Sequence, residues 1–140
     1  MIWCILFQLI FSGPIVCDWF TDYDKAMTHA QEHNKNVLMV FAGSDWCRPC
    51  IRFKETILTS DDFQAFAKEN VDILYLNFPA KKKNKLTEEQ TRHNEQLAEK
   101  YNQSGIFPRI FLLMNNGEVI KELKFSDQSS SKFIQELSQG

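Results

Sequence analysis

With 140 residues, 44% of them hydrophobic, the chain is long enough for one domain with its own core. Sixteen basic and eighteen acidic residues leave a formal net charge of −2, which argues against nucleic acid or an acidic substrate recruited by bulk electrostatics. No internal repeat or Pro/Ser-rich linker marks a second domain.

The first seventeen residues, MIWCILFQLIFSGPIVC, carry no charged side chain. An apolar run this short, broken by Ser12-Gly13-Pro14, fits a secretory signal better than a membrane span. It lacks a basic n-region and an A-x-A cleavage site, so an uncleaved anchor is the alternative. Pro14 and Val16 suit a lipoprotein-type cleavage before Cys17 poorly. Residues 1–17 are therefore expected to be a signal peptide and 18–140 the domain, exported to the periplasm or secreted. A cut at or before Asp18 leaves Cys47 and Cys50 as the mature cysteines, and an adjacent pair makes a poor long-range staple.

The domain begins with a predicted helix. Thr21 or Asp22 is its N-cap, Tyr23, Ala26, Met27 and Ala30 recur at helical spacing, and Asn34 and Asn36 stop it. VLMVFA (37–42) is a continuous apolar run, the mark of a strand covered on both faces. WCRPC then opens a second helix, since Pro49 suits a first turn and IRFKETIL continues the periodicity. Ser60-Asp61-Asp62 caps a third helix, and VDILYLNF (71–78) is another buried strand. After the basic run KKKNK, the capping-box pattern Thr87-x-x-Gln90 starts a long helix that closes near Gly105. RIFLLM and EVIKELKF flank Asn115-Asn116-Gly117, a hairpin signal, and SSSKFIQEL ends the chain as an amphipathic helix. Strands joined through helices run parallel with a right-handed crossover. The result is a mixed α/β sheet with helices on both faces and the cysteine pair at a strand's carboxyl end, where such sheets place their chemistry.

At a helix start, free N–H groups and the dipole lower a thiol's pKa below about 8.5 and so favour the nucleophilic thiolate. Cys47 is placed to attack a disulfide, and Cys50, one turn further on, to resolve the mixed disulfide. Arg48 adds positive charge beside the thiolate, favouring the reduced form and a more oxidising pair, and Pro49 restricts the loop.

WCRPC resembles the thioredoxin active site, usually W-C-G-P-C, and GIFPRIFLLMNNGEVI resembles that family's cis-proline segment and its hairpin. The likeness covers about residues 37–137 and, with GSDWC, NFPAKKK and LAEKYNQSGIFP, is greatest to small exported bacterial thioredoxin-like proteins. It implies a thioredoxin fold and a thiol–disulfide oxidoreductase acting on protein thiols and disulfides, with a redox partner protein and no cofactor. By position, Cys47 is the exposed attacking thiol and Cys50 the buried resolving one, bridged in the oxidised state. Trp46 packs beside them, Pro49 shapes the helix start, and Pro108 is the cis-proline that frees the Phe107 backbone for substrate. Sequence alone requires only that Phe107 avoid the α region. Two departures stand out. Phe41 occupies the place of the family's buried acid, so proton transfer from Cys50 falls to water or another group; Asp45 is expected at the exposed mouth. Arg109 follows the proline where threonine is frequent, which would set a charge near the substrate groove.

Other readings compete. A redox-inactive thioredoxin-fold scaffold with a structural disulfide is the alternative function, and an inert buried cysteine pair is a blander one. Structural zinc needs four ligands, whereas this chain offers one C-x-x-C, two cysteines in the signal, and His29 and His33 at i, i+4, more often a solvated helical face; no metal is expected. His93 is read as surface, the phenylalanines at 63, 66, 111 and 125 as core, and Lys81, Lys82, Lys83 and Lys85 as a solvated loop, with a membrane-surface or acidic-partner patch as the alternative. A monomer is expected, and the direction of electron flow is open.

Overall fold

The computed structural model describes residues 19–139; the segment expected to be a signal peptide, with Cys4 and Cys17, lies outside them. Five strands form one sheet in the order β1-β3-β2-β4-β5: β1 (Trp19–Phe20), β2 (Asn36–Ala42), β3 (Val71–Asn77), β4 (Arg109–Leu113) and β5 (Val119–Leu123). β2 runs parallel to β3 and antiparallel to β4, and β4–β5 is the antiparallel hairpin. Two-residue β1 went unpredicted, because Trp19–Phe20 is too short to show a period; it extends the sheet by pairing parallel with β3.

Alternation along the central strands splits the core. Leu38, Val40, Ala42, Ile73 and Ile110 face α2 (Arg48–Phe53), α3 (Asp61–Asn70) and α5 (Ser130–Ser138). Val37, Met39, Phe41, Leu74, Leu76 and Phe111 face α1 (Tyr23–His33) and α4 (Glu88–Tyr101). Strands covered on both sides read as the continuous apolar runs seen in the sequence. Of the four phenylalanines read as core, Phe63 and Phe111 are buried, while Phe66 and Phe125 are partly buried and pack against the α2-side cluster.

Side-chain caps start the longer helices, with Asp22, Ser60, Thr87 and Ser129 each accepting the backbone N–H three residues on. Helix α1 stops at Asn34, whose φ of 53° is the left-handed conformation asparagine tolerates. The capping box at Thr87 is only half made. Gln90 Nε2 donates to the Thr21 carbonyl (2.8 Å) and to Asn94 Oδ1 (2.9 Å) instead of returning to Thr87. The helical run after the cysteines also departs from regular periodicity: α2 ends at Phe53 and continues as a π turn over Lys54–Leu58.

His93 is no simple surface residue. It accepts the Tyr23 N–H at 3.0 Å and joins the Gln90–Asn94 network, tying α4 to the start of α1. His29 likewise leaves the solvated face: its Nδ1 lies 2.7 Å from Oδ2 of Asp72, a fully buried carboxylate that also receives Lys35 Nζ at 3.4 Å.

Candidate active site

β2 ends at Ala42, and the turn Gly43–Trp46 delivers the chain to the amino end of α2. Cys47 is the N-cap, with extended backbone (φ −95°, ψ 104°), and its Sγ accepts the Cys50 N–H at 3.3 Å. Pro49 sits in the first turn, where its missing N–H costs no helical bond. Cys47 and Cys50 are joined by a disulfide, with Cα atoms 5.2 Å apart. The Gly43 N–H donates to Cys50 Sγ at 3.5 Å. Both sulfurs thus accept backbone N–H groups, an environment that favours negative charge when the bridge opens.

Exposure of the pair is a correction. Cys47 keeps 5% of its surface and Cys50 1%, so the expected exposed first thiol is nearly covered, although it remains the more accessible of the two. The bridge draws both sulfurs into the apolar cluster with Val40-side residues of the sheet, Phe53 and Ile110. Arg48 and Pro49, by contrast, are exposed, and the Arg48 guanidinium has no carboxylate partner among the described residues.

Trp46 ties three segments together. Its Nε1–H donates to the Phe78 carbonyl at 2.7 Å, and its ring meets Phe107 edge-on at 5.4 Å. A Cβ on Gly43 would overlap the indole, so glycine at 43 lets the ring lie against the turn. The Phe107–Pro108 peptide is cis, and Phe107 packs against the cluster that holds the cysteines. Asn102, 3% exposed at the end of α4, orders the approach to this segment: it donates to the Ile106 carbonyl (2.9 Å) and accepts the Ile106 N–H (3.1 Å). That closure ends α4 at Tyr101, short of Gly105, which has a φ of 65°. Gly43 and Asn102 carried no sequence signal for these roles; both matter through contacts made only in the fold.

Phe41 lies on the α1/α4 side of the sheet, opposite the cysteines, and its ring neighbours Phe78 at 6.1 Å. Phe78 in turn meets Phe107 at 5.3 Å, so the aromatic row Phe41–Phe78–Phe107–Trp46 runs from the core to the site's surface. The buried acid present, Asp72, pairs with Val37 at the start of β2, whereas the cysteines follow its end. It is too remote to serve them.

Asp45, expected at an exposed mouth, is a structural pin. Its carboxylate accepts N–H groups of Ala80 (2.8 Å) and Lys81 (3.0 Å) and the Asn84 amide (3.0 Å), and these bonds, the Ala80 one first, hold its pKa down to about 2. Arg109 is also corrected. Instead of projecting a charge into the groove, it donates to Glu122 (3.1 Å) and Ser104 (3.1 Å) and stacks over Phe111 at 5.1 Å. β4 alternation turns it to the face opposite Ile110, where β5 supplies its carboxylate.

Comparison with known proteins agrees with this geometry. The family model of the thioredoxin-like domain matches residues 23–140. Disulfide bond reductase DsbH of Chlamydia pneumoniae is 29% identical over 115 residues, spanning 82% of this chain and 68% of that protein. A solved DsbH oxidoreductase superposes with a TM-score of 0.78 at 26% identity, over 93% of this chain and 90% of the other. The oxidised C-terminal domain of Neisseria meningitidis DsbD shares the fold, with a TM-score of 0.56 at 23% identity over 85% and 96% of the two chains.

Proposed function

Because the chain belongs to the thioredoxin-like domain family and is a thiol–disulfide oxidoreductase, we propose that it reduces disulfides of exported proteins through Cys47 and Cys50. The observation that carries the reading is the Cys47–Cys50 bridge at a helix N-cap beside the cis Phe107–Pro108 segment. The reducing direction is supported by the likeness to a disulfide bond reductase, and export by the uncharged run at residues 1–17.

In the reduced protein, the Cys47 thiolate attacks one sulfur of a substrate disulfide. An S–S bond forms between enzyme and substrate, and the other substrate sulfur leaves as a thiolate. Cys50 loses its proton and attacks Cys47 Sγ, closing the enzyme's bridge and releasing the second substrate thiol. Two electrons have passed to the substrate, and a dithiol partner protein returns them to the enzyme. Trp46 and Phe107 form the apolar wall against which the substrate chain lies, Pro108 positions its backbone, and Pro49 fixes the first turn. Arg48, exposed and unpaired among the described residues, stabilises the thiolate that forms when the bridge opens.

The test is insulin-disulfide reduction with dithiothreitol as donor. Turnover above the uncatalysed rate, lost in Cys47→Ser, is expected. A wild-type rate equal to background refutes general reductase activity and favours a scaffold with a structural disulfide.

A further inference from the structure

A cleft of about 350 Å³ lies between the segment after β3 and α4, lined by Phe78, Leu86, Lys81, Lys82, Lys85 and, on α4, Glu95 among others. Three hydrogen bonds couple it to the segment that carries the reacting pair. Asp45, two residues before Cys47, receives the Ala80 and Lys81 N–H groups, and Trp46 donates to the Phe78 carbonyl. Phe78 and Leu86 are half-buried, while Lys81, Lys82, Lys83 and Lys85 are exposed and form no salt bridge among the described residues. Four cations in five residues face two acids: Asp45, whose field Lys81 shares but whose oxygens are taken by the Ala80 and Lys81 N–H groups and the Asn84 amide, and Glu95 on the cleft wall, so the balance at the cleft is positive. Arg48, also exposed and without a salt bridge among the described residues, adds a positive charge next to Cys47 in sequence.

We propose that this cleft docks an acidic segment of the protein substrate, with two or more carboxylates a few residues from the cysteine that joins Cys47. The inference rests on the reductase reading and specifies its substrate class. Phe78 and Leu86 cover the aliphatic stems of the bound segment, while Lys82 on a short 3-10 turn (Lys82–Asn84) and Lys81 and Lys85 at its two ends meet its carboxylates. Charges at such a rim act mainly on the rate of encounter, and their effect falls with salt.

The test uses reduced protein and three cysteine peptides, each in mixed disulfide with a chromophoric aryl thiol and flanked by Asp/Glu, Gly/Ser or Lys. Attack by Cys47 releases the aryl thiolate, which is read by stopped-flow absorbance. At low ionic strength the acidic peptide is expected to react about tenfold faster than the Gly/Ser peptide, and the margin to vanish near 0.5 M salt. The triple variant Lys81→Glu/Lys82→Glu/Lys85→Glu should invert the order, and the Lys→Gln triple should level it. Equal wild-type rates for all three peptides, or an order unchanged in the Glu triple, would overturn the cleft's role while leaving the reductase reading intact. No reaction with any peptide would refute both. Co-sedimentation with phosphatidylglycerol vesicles that excess acidic peptide does not displace would overturn the proposal in favour of a membrane surface.

Discussion

Replacing Gly43 with alanine should cost stability through Trp46, and the structure sets the amount. The backbone at 43 is held on both sides: its N–H donates to Cys50 Sγ, and its carbonyl accepts the Cys47 N–H at 3.0 Å. The new Cβ would overlap the indole, so the ring must move. In moving it gives up the 2.7 Å bond to the Phe78 carbonyl, a contribution of about 0.5–1.5 kcal/mol. It also gives up the edge contact with Phe107, about 0.5–1.5 kcal/mol more. Alanine restricts the unfolded chain and returns about 0.4–1 kcal/mol. The net loss centres on about 1.3 kcal/mol, within limits of about 0 and 2.6. Trp46 is already 48% exposed, so its displacement opens no deep cavity. Urea unfolding followed by far-UV circular dichroism, on wild type, Gly43→Ala, Trp46→Ala and the double variant, isolates the effect. With Trp46 removed, Gly43→Ala should be neutral or slightly stabilising. A cost that is the same in both backgrounds, to within about 0.5 kcal/mol, refutes the clash as its cause.

Asp45→Asn should lower the urea midpoint most at neutral pH. The folded carboxyl titrates at about 2, below its usual 3.8, so the stability it contributes is present above the unfolded value and is lost as pH falls through the folded one. Wild type and variant should therefore converge between about pH 4 and pH 2, and a gap independent of pH would contradict the pin. Asn102→Ala removes both bonds to the partly solvated Ile106 backbone, at a cost of about 0.5–1.5 kcal/mol per bond. It should slow insulin reduction as well; a full rate would mean the segment holds its shape without Asn102. Phe41→Asp places a carboxylate in the apolar layer behind the sheet, so it should lower the melting temperature sharply without speeding the release step by Cys50. A faster release step in single-turnover kinetics would show that the acid can reach the pair from this position.

The order of the main elements was legible because the strands are uninterrupted apolar runs and the helices carry side-chain caps, as at Val37–Ala42 and Thr87. The parallel β2–β3 pair and the β4–β5 hairpin followed from connection length and from the Asn115–Gly117 turn. What escaped was set by tertiary contact. Trp19–Phe20 becomes a strand only because β3 offers an open edge. Gln90 abandons its capping partner for Thr21 and Asn94, and His93 is drawn inward by Tyr23. At the site, C-x-x-C spacing and the Phe107–Pro108 dipeptide pointed to two segments that the fold brings together through Trp46 and Phe107. Yet nothing local to Asp45 or Arg109 says which backbone or carboxylate each will meet. Asp45 looks like a free acid until the loop after β3 returns to it, and Arg109 looks like a groove residue until Glu122 pairs with it across the hairpin.

The division of labour between the two cysteines is tested most directly by trapping. Cys47→Ser and Cys50→Ser proteins, reduced and mixed with a disulfide-bonded peptide, are quenched with acid and weighed by mass spectrometry. Cys50→Ser should accumulate a peptide adduct mapped to Cys47, and Cys47→Ser should stay unmodified over the same interval. An adduct forming as quickly on Cys50 of the Cys47→Ser protein would contradict the assignment of Cys47 as the attacking sulfur.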